Sequence, residues 1–503
     1  MPNPTRALAA AHGRRGGMPY PQTAVAFGLP EAAPERDATT VARVRGVAMV
    51  RDLIGLVRDP IRASEAIHRR HGRFVAFEQP AGRPRSVMVA DPALNEQILT
   101  ATDYTRPSSL WALPGPKDSI HKELRNNYLS AYGEEHAKLA AATVPSLSRR
   151  SVSGYFDTLK AIAAAEVDRW PVGEAVDLYA LVRGMGRQAA FRLLFDEPDP
   201  VRTANLVAML ERYHARNWSI GAFLFPVDLP GTPYRRLLRM AEKVADEIGR
   251  WVAERNGAAQ PSIRAAHAAL TDGDGHPLSA VRRAANISFL SFASFETMSS
   301  ALTWILFLLA LHPRVLADLV DEIESAGPLA DIGRDRLGAL PLLDSVVKEA
   351  LRLIPPTPVL IWRTHGDKAW QLGGEPLGVD YRKTQLLMAV HVTHRLPDIY
   401  AEPGRFMPQR WSSIRPSPYA YLPFGGGPRR CPGGMFGTDF LKAGLAAIVT
   451  RHRLEIRDGT RIDYVFRGLT MPKAGIPVAL APQDRTPRAP QVAGDLRRLV
   501  AVD

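Results

Sequence analysis

The stretch SFLSFASFETMSSALTWILFLLALHP, residues 288–313, reads as one long apolar helix. A helix of this kind demands a large core, and a chain of 503 residues is long enough to provide one. Its longest unbroken apolar run, ALTWILFLLAL at 301–311, is too short to span a bilayer. The run is interrupted by Glu296-Thr297. An unpaired carboxylate is expensive to bury, so Glu296 either lies on a solvated face or is kept for a role.

The surrounding segments fit a helical shell. From 133 to about 350 the pattern is overwhelmingly helical, with breaks at DEPDP (196–200), FPVDLPGTP (225–233), TDGDGHP (271–277) and LHPR (311–314). Residues 38–60 also have helical spacing. RFVAFEQPAGRPRSVMVADP predicts a hairpin, and Asp91-Pro92 predicts a helix N-cap followed by proline at the first helical position. Residues 106–132 predict a long loop with short helical pieces. After 355, VLIWRTHG, KAWQLGGEPLG and TQLLMAVHV read as strands and turns, and GTDFLKAGLAAIVTRH as one more helix. The expected fold is mainly α (α+β), a helical body with small peripheral sheets. Residues 1–40 are expected to be a mobile tail, 41–482 a single domain, and 483–503 a C-terminal tail.

The net charge of +13 raises the possibility of a nucleic-acid partner, but Lys and Arg are scattered and form no basic block interleaved with aromatics. A solvated surface, with one basic face for an acidic protein partner, is the expectation. The N-terminus lacks the continuous apolar core of a secretory signal. With a single cysteine, disulfides play no part in the core, which fits a reducing cytosol. The protein is therefore expected to be soluble and cytoplasmic.

That cysteine, Cys431, lies in FGGGPRRCPGG (424–434). Glycines and prolines fix an irregular backbone there, and Arg429 and Arg430 put positive charge beside the sulfur, which favours a thiolate. A thiolate serving as an axial haem ligand needs donor N–H groups, a helix starting behind it and an arginine for a haem propionate; residues 424–440 supply all three. Pro432 has no N–H, so the donors would be Gly433, Gly434 or later residues. The rival readings are a glycine-rich turn with an incidental cysteine and a phosphate loop. The latter fails because no lysine followed by Ser or Thr is present.

With this loop the chain resembles the cytochrome P450 family of haem-thiolate monooxygenases, in its soluble bacterial-type form. Other segments add to the resemblance. KEALRL (348–353) places Glu349 and Arg352 on one helix face, and FMPQRW (406–411) supplies Arg410. The resemblance implies that these three form a buried structural network beneath the cysteine loop. It implies that Ala293-Ser294-Phe295-Glu296-Thr297 lies on the oxygen-binding helix, Ser replacing the usual glycine, with Glu296 and Thr297 relaying protons. It assigns Phe424 to the loop signature, and Arg429 and Arg363 to the haem propionates. In GEEHAKLAAA, His136 matches a propionate contact, while Ala140 stands where an arginine is expected. HVTHRLP (391–397) matches a family turn, so His391 and His394 are not taken as metal ligands.

The resemblance implies haem b with Cys431 as axial ligand, O2, and electrons from NAD(P)H through a separate ferredoxin or flavodoxin-type partner. It implies insertion of one oxygen atom into a small hydrophobic substrate, by hydroxylation or epoxidation, in secondary metabolism. The chain would act as a monomer, without nucleic acid or a transmembrane segment. Rearrangement, dehydration or C–C coupling, and non-catalytic haem binding, are the alternatives. Trp111, Ala293, Val359 and Leu469 are the expected pocket residues. The apolar stretches SLWAL, VLI and NWSIGAFLF contain no obvious charged anchor.

Overall fold

The computed structural model describes residues 40–501 apart from 79–85, 103–104, 108–118, 218, 220, 223–224, 255–261, 273, 365–369, 378–383 and 487. The N-terminal part runs β1 (Ala42–Val44), α1 (Gly46–Arg58), α2 (Pro60–His71), β2 (Phe74–Phe77), β3 (Ser86–Val89), α3 (Pro92–Thr100) and β4 (Thr105–Pro107). The helical body follows: α4 (Ile120–Arg125), α5 (Gly133–Thr143), α6 (Arg149–Val167), β5 (Ala175–Asp177), α7 (Leu178–Leu194), α8 (Pro200–Asn217), α9 (Pro233–Ala253), α10 (Ile263–Ala268), α11 (Ala280–Leu311), α12 (Pro313–Ser325), α13 (Arg334–Gly338) and α14 (Pro341–Leu353). The last part comprises β6 (Leu360–Thr364), β7 (Trp370–Leu372), β8 (Glu375–Leu377), β9 (Gln385–Met388), α15 (Val390–Thr393), α16 (Gly434–Val449), β10 (His452–Glu455), β11 (Tyr464–Phe466), β12 (Thr470–Pro472) and β13 (Pro477–Pro482). The architecture is mainly α with small separate sheets, as the sequence pattern predicts.

Several helices start where an oxygen-bearing side chain precedes proline. The Asp91 carboxylate accepts from the N–H groups of Ala93 at 2.9 Å and Leu94 at 3.3 Å, and Thr232 Oγ1 accepts from Arg235 N at 3.1 Å. Each cap satisfies donors that the first helical turn leaves without partners, while proline brings none of its own.

The helix α11 is 32 residues long and is flanked by α7, α9 and α16. It is long and apolar enough to cross a membrane, more so than its core run suggests, yet 89% of its apolar window is buried within the protein. Close crossings explain how. A Cβ on Gly186 of α7 would lie 2.3 Å from Ser299 Oγ and 3.3 Å from the Phe295 carbonyl. On the other side, a Cβ on Gly444 of α16 would lie 2.9 Å from Leu302 Cδ2. Two glycines thus let α7 and α16 approach α11 more closely than any side chain allows.

The main sheet has six strands in the order β1-β2-β3-β9-β6-β4. The predicted hairpin is β2–β3, antiparallel with Phe74 opposite Val89; β3 then pairs in parallel with β9, Ser86 opposite Gln385. Residues 38–60 are not all helical, because Ala42–Val44 pairs in parallel with β2 before α1 begins.

The segment 483–503 differs from the expected tail. Val492, Leu496, Leu499 and Val500 are buried in the main core, Ile462 N donates to the Ala493 carbonyl at 2.8 Å, and Arg395 Nη2 donates to the Leu499 carbonyl at 2.6 Å. Four apolar anchors bind a segment whose overall composition is polar, so the domain continues to about residue 500. The expected tail 1–40 falls almost wholly outside the described residues.

The crossing at Gly186 predicts that Gly186→Val destabilises the protein by about 1–3 kcal/mol through overpacking. The melting temperature should fall, whereas substitution at the open Gly154, which has nothing within 4 Å of a built Cβ, leaves it nearly unchanged.

Candidate functional site

The cysteine loop is shaped by close backbone contacts. Gly425 and Gly427 have φ of +67° and +63°, and a Cβ on Gly427 would lie 2.4 Å from the Leu99 carbonyl oxygen. The loop turns back on itself as Cys431 N donates to the Phe424 carbonyl at 2.9 Å. The Phe424 ring lies 3.4 Å from the Cβ position of Gly434, so it packs directly on the start of α16. The Gly433 N–H, one of the donors left once Pro432 is excluded, lies near the sulfur and pulls the thiol pKa down.

The thiol itself departs from the sequence reading. Burial pushes it up, and the Gly433 N–H and the Arg430 charge only partly offset this. Without a further cation the group is a thiol at neutral pH. Yet Cys431 is exposed in surface terms. A side chain that is both accessible and enclosed by protein faces an internal hollow.

Below the loop, Glu349, Arg352 and Arg410 come together. Arg352 donates to both Glu349 oxygens at 2.9 Å, and Arg410 Nε donates to Oε1 at 2.9 Å. The Met407 N–H and the Trp411 indole N–H add further donors at 3.0 Å each. Burial pushes the Glu349 carboxyl up, but the hydrogen bonds from Arg352 and the charges of Arg352 and Arg410 outweigh it and hold it below its ordinary value. Arg352 Nη1 also donates to the His394 carbonyl at 2.9 Å, and His394 Nε2 accepts from Leu422 N at 2.7 Å, two residues before Phe424. His394 is therefore a clamp between this network and the loop. His391 is held by Glu65 at 2.7 Å.

Above the loop, α11 is almost fully buried from Met298 onward, but Phe289, Phe292, Ala293, Ser294 and Thr297 are half-exposed. Phe289, Ala293 and Thr297 recur every four residues and share one face. Met298 packs against the Cβ position of Gly437 in the first turn of α16, at 3.8 Å, so this stretch of α11 lies beside the cysteine helix. Thr297 Oγ1 donates to the Ala293 carbonyl at 2.8 Å, and α11 runs unbroken through Ser294. Glu296 is buried and points to α7: Arg183 donates to Oε2 through Nε at 3.1 Å and Nη2 at 2.9 Å, and Tyr179 donates to Oε1. Arg183 also pairs with Glu211 of α8, which is 36% exposed. Burial, then the Glu296 charge, pushes the Tyr179 hydroxyl far up and keeps it protonated.

At the loop edge, Arg429 Nη2 donates to the Ala131 carbonyl. His136 packs against Tyr128 with the rings tilted and their centroids 5.1 Å apart, and its Nε2 is buried without a partner among the described residues. Burial and then the nearby Arg429 charge push the His136 imidazole down to about 4, so it is neutral. The haem that the resemblance implies fits these residues. The accessible yet enclosed Cys431 supplies an iron ligand, while Arg429 and the unsatisfied His136 Nε2 supply cation and hydrogen bond for a propionate. Arg363 is exposed on β6, opposite Arg106 of β4. Val359 and Leu469 are buried, Ala293 is on the accessible face of α11, and Trp111 lies outside the described residues. The sequence pattern does not mark Tyr179, Arg183 or Tyr128, whereas His394 has a local signal in HVTHRLP.

Comparison with known proteins gives a consistent result. The family model described as Cytochrome P450 matches residues 57–479. Protopanaxadiol 6-hydroxylase of Panax ginseng is 25% identical over 63% of this chain, and the match spans 66% of its own length, just under two thirds. Beta-amyrin 16-beta-monooxygenase of Platycodon grandiflorus is 25% identical over 73% of this chain and 78% of its own. Among solved structures, the retinoic acid-bound cyanobacterial CYP120A1 superimposes with a TM-score of 0.72 at 20% identity, covering 85% of this chain and 96% of that one.

Glu349 is predicted to be the most sensitive position in this network. Glu349→Gln leaves two buried guanidinium groups short of charge and should cost about 3–5 kcal/mol, seen as loss of folded protein in thermal melts. Because its pKa is depressed on folding, its stabilisation is complete above the ordinary carboxylate range and is lost as pH falls through the lower folded value. Acid unfolding of the wild type should therefore begin below the ordinary Glu pKa, and a midpoint at or above it contradicts this assignment.

Proposed function

Because the chain belongs to the cytochrome P450 family of oxidoreductases, we propose that it is a monooxygenase that inserts one atom of O2 into an apolar organic substrate, by hydroxylation or epoxidation. The observation that carries this reading is Cys431: accessible to an internal hollow, with the Gly433 N–H at its sulfur, beside the accessible face of α11 that bears Thr297. Bound haem b supplies the reductive splitting of O2, one atom going to substrate and the other to water at the cost of two electrons and two protons.

The chain's own residues do the rest. Cys431 would hold the haem iron, and the Gly433 N–H and the Arg430 charge would favour its thiolate form. Arg429 and His136 would hold a propionate. Phe289, Phe292 and Ala293 present an apolar wall to the substrate and exclude water from it. Thr297 Oγ1, which donates to the Ala293 carbonyl at rest, turns to hold a proton at the reacting centre. Glu296 refills it. Glu211 near the surface, Arg183 and buried Glu296 form a continuous polar line, and Glu296 becomes available when Arg183 swings towards Glu211.

Electrons come from NAD(P)H through a separate ferredoxin or flavodoxin-type protein docking on the basic surface. The names of the ginseng and Platycodon relatives support a polycyclic terpenoid or similarly apolar substrate. The lone cysteine supports a reducing, cytoplasmic location, and the reading makes the protein a monomer of secondary metabolism.

The reduced, CO-bound protein should show a strongly red-shifted Soret band that Cys431→Ala abolishes; a normal haem spectrum would sink the assignment. Labelled O2 should appear in product stoichiometrically, which separates monooxygenation from rearrangement or coupling. Thr297→Ala should keep consuming reductant while product yield falls, and Glu296→Gln should slow product formation by about 10²-fold. Unchanged coupling and rate in both variants would remove the proton-relay role.

A further inference from the structure

Arg125 ends α4 and lies on the same face as His121, one turn earlier. His121 Nδ1 shares a hydrogen bond with the Tyr213 hydroxyl of α8 at 3.1 Å. Next to Tyr213, the His214 ring packs on Phe292 with centroids 4.1 Å apart, and Phe292 is on the half-exposed part of α11. The group therefore forms part of the wall between α4, α8 and the substrate face of α11. It is rich in unused polar atoms: His121 Nε2, His214 Nε2 and Asn217 Oδ1 are all buried without hydrogen-bond partners.

The Arg125 guanidinium forms no ion pair or hydrogen bond with any described residue. Burial pushes its pKa down, and Tyr213 partly offsets this. Because His121, one turn before it, bonds Tyr213, Arg125 lies at the end of α4 that faces α8. Both histidines are pushed down, His121 to about 3 and His214 to about 4, first by burial and then by Arg125, so they are neutral and add no competing charge. Glu211, the acid on the same helix, is already taken by Arg183. A half-buried cation with no anion beside it among the described residues gives up part of its hydration, and no described carboxylate repays it. A partner from outside the chain accounts for it.

We infer that Arg125 is the anchor for the carboxylate of an amphipathic substrate whose apolar body lies along Phe289, Phe292 and Ala293 towards Thr297. This deepens, and rests on, the monooxygenase reading. The guanidinium offers a bidentate fork to the carboxylate, and the unsatisfied ring nitrogen of His214 offers a further polar contact. The apolar stretches of the sequence therefore describe the body of the substrate but not its head.

The test titrates the haem-loaded protein with dodecanoic, hexadecanoic and abietic acids and the methyl ester of each, following the spin-state shift. At least one acid should bind tenfold or more tightly than its ester. Arg125→Gln should abolish that preference by weakening the acid alone, and Arg125→Lys should restore part of it. The carboxylate-free Arg125→Gln protein should also melt at a higher temperature than wild type, whereas an arginine that merely braced α4 would lower it on removal. The inference is overturned if no acid binds better than its ester, or if Arg125→Gln keeps the preference. The red-shifted CO spectrum must be present in both proteins; its absence from the wild type overturns the monooxygenase reading as well.

Discussion

The structure depends on a single buried carboxylate. Glu349 has no exposure, and around it converge two guanidinium groups, an indole N–H and a backbone N–H. The two arginines spend their remaining donors on main-chain carbonyls of residues 394–405, so one charge fixes a long stretch without regular secondary structure. Through His394 the constraint passes to Leu422 and so to the cysteine loop. Glycine-rich backbone is entropically costly to hold in one shape. The network supplies the rigid floor on which that shape becomes affordable.

The second constraint is steric. Gly186 and Gly444 bring α7 and α16 into near-backbone contact with the middle of α11. Close packing on both sides seals α11 from Met298 onward, and it ends where Thr297 and Ala293 come to the surface of the hollow. Such a helix has a rigid half and a chemically accessible half, and Met298 on Gly437 keeps the accessible half next to Cys431.

What the sequence made legible follows from this division. The cysteine loop, the Glu349–Arg352 pair and the Asp91-Pro92 cap are local patterns, and their geometry is decided by residues a few positions apart. Arg410 was found only because its own short motif was recognisable. Tyr179 and Arg183 meet Glu296 across more than a hundred residues of chain, and nothing in their own neighbourhood marks them. The C-terminal segment was misread because four anchors, Val492, Leu496, Leu499 and Val500, are diluted among polar residues. The favoured thiolate was misread because positive sequence neighbours were weighed without the burial that outweighs them. Periodicity and motif report local order; desolvation depends on what the whole chain places around a group.

Arg125 and Arg183 show how that distinction bears on function. Both are half-buried arginines on helices beside α11. Arg183 meets two carboxylates, so its charge is balanced within the chain and its movement between them can gate a proton. Arg125 has no ion-pair partner among the described residues, and its helix neighbour His121 bonds Tyr213, next to the His214–Phe292 pair. A fold that could have placed an acid opposite Arg125, as it does opposite Arg183, instead leaves three neighbouring polar atoms unsatisfied. Stability alone does not favour that arrangement. It becomes intelligible if the balancing charge arrives with the substrate, because an anion bound there relieves the desolvation that the free protein carries. The same cost then serves selectivity, since a neutral ligand of equal shape would cover the guanidinium and leave it unpaired.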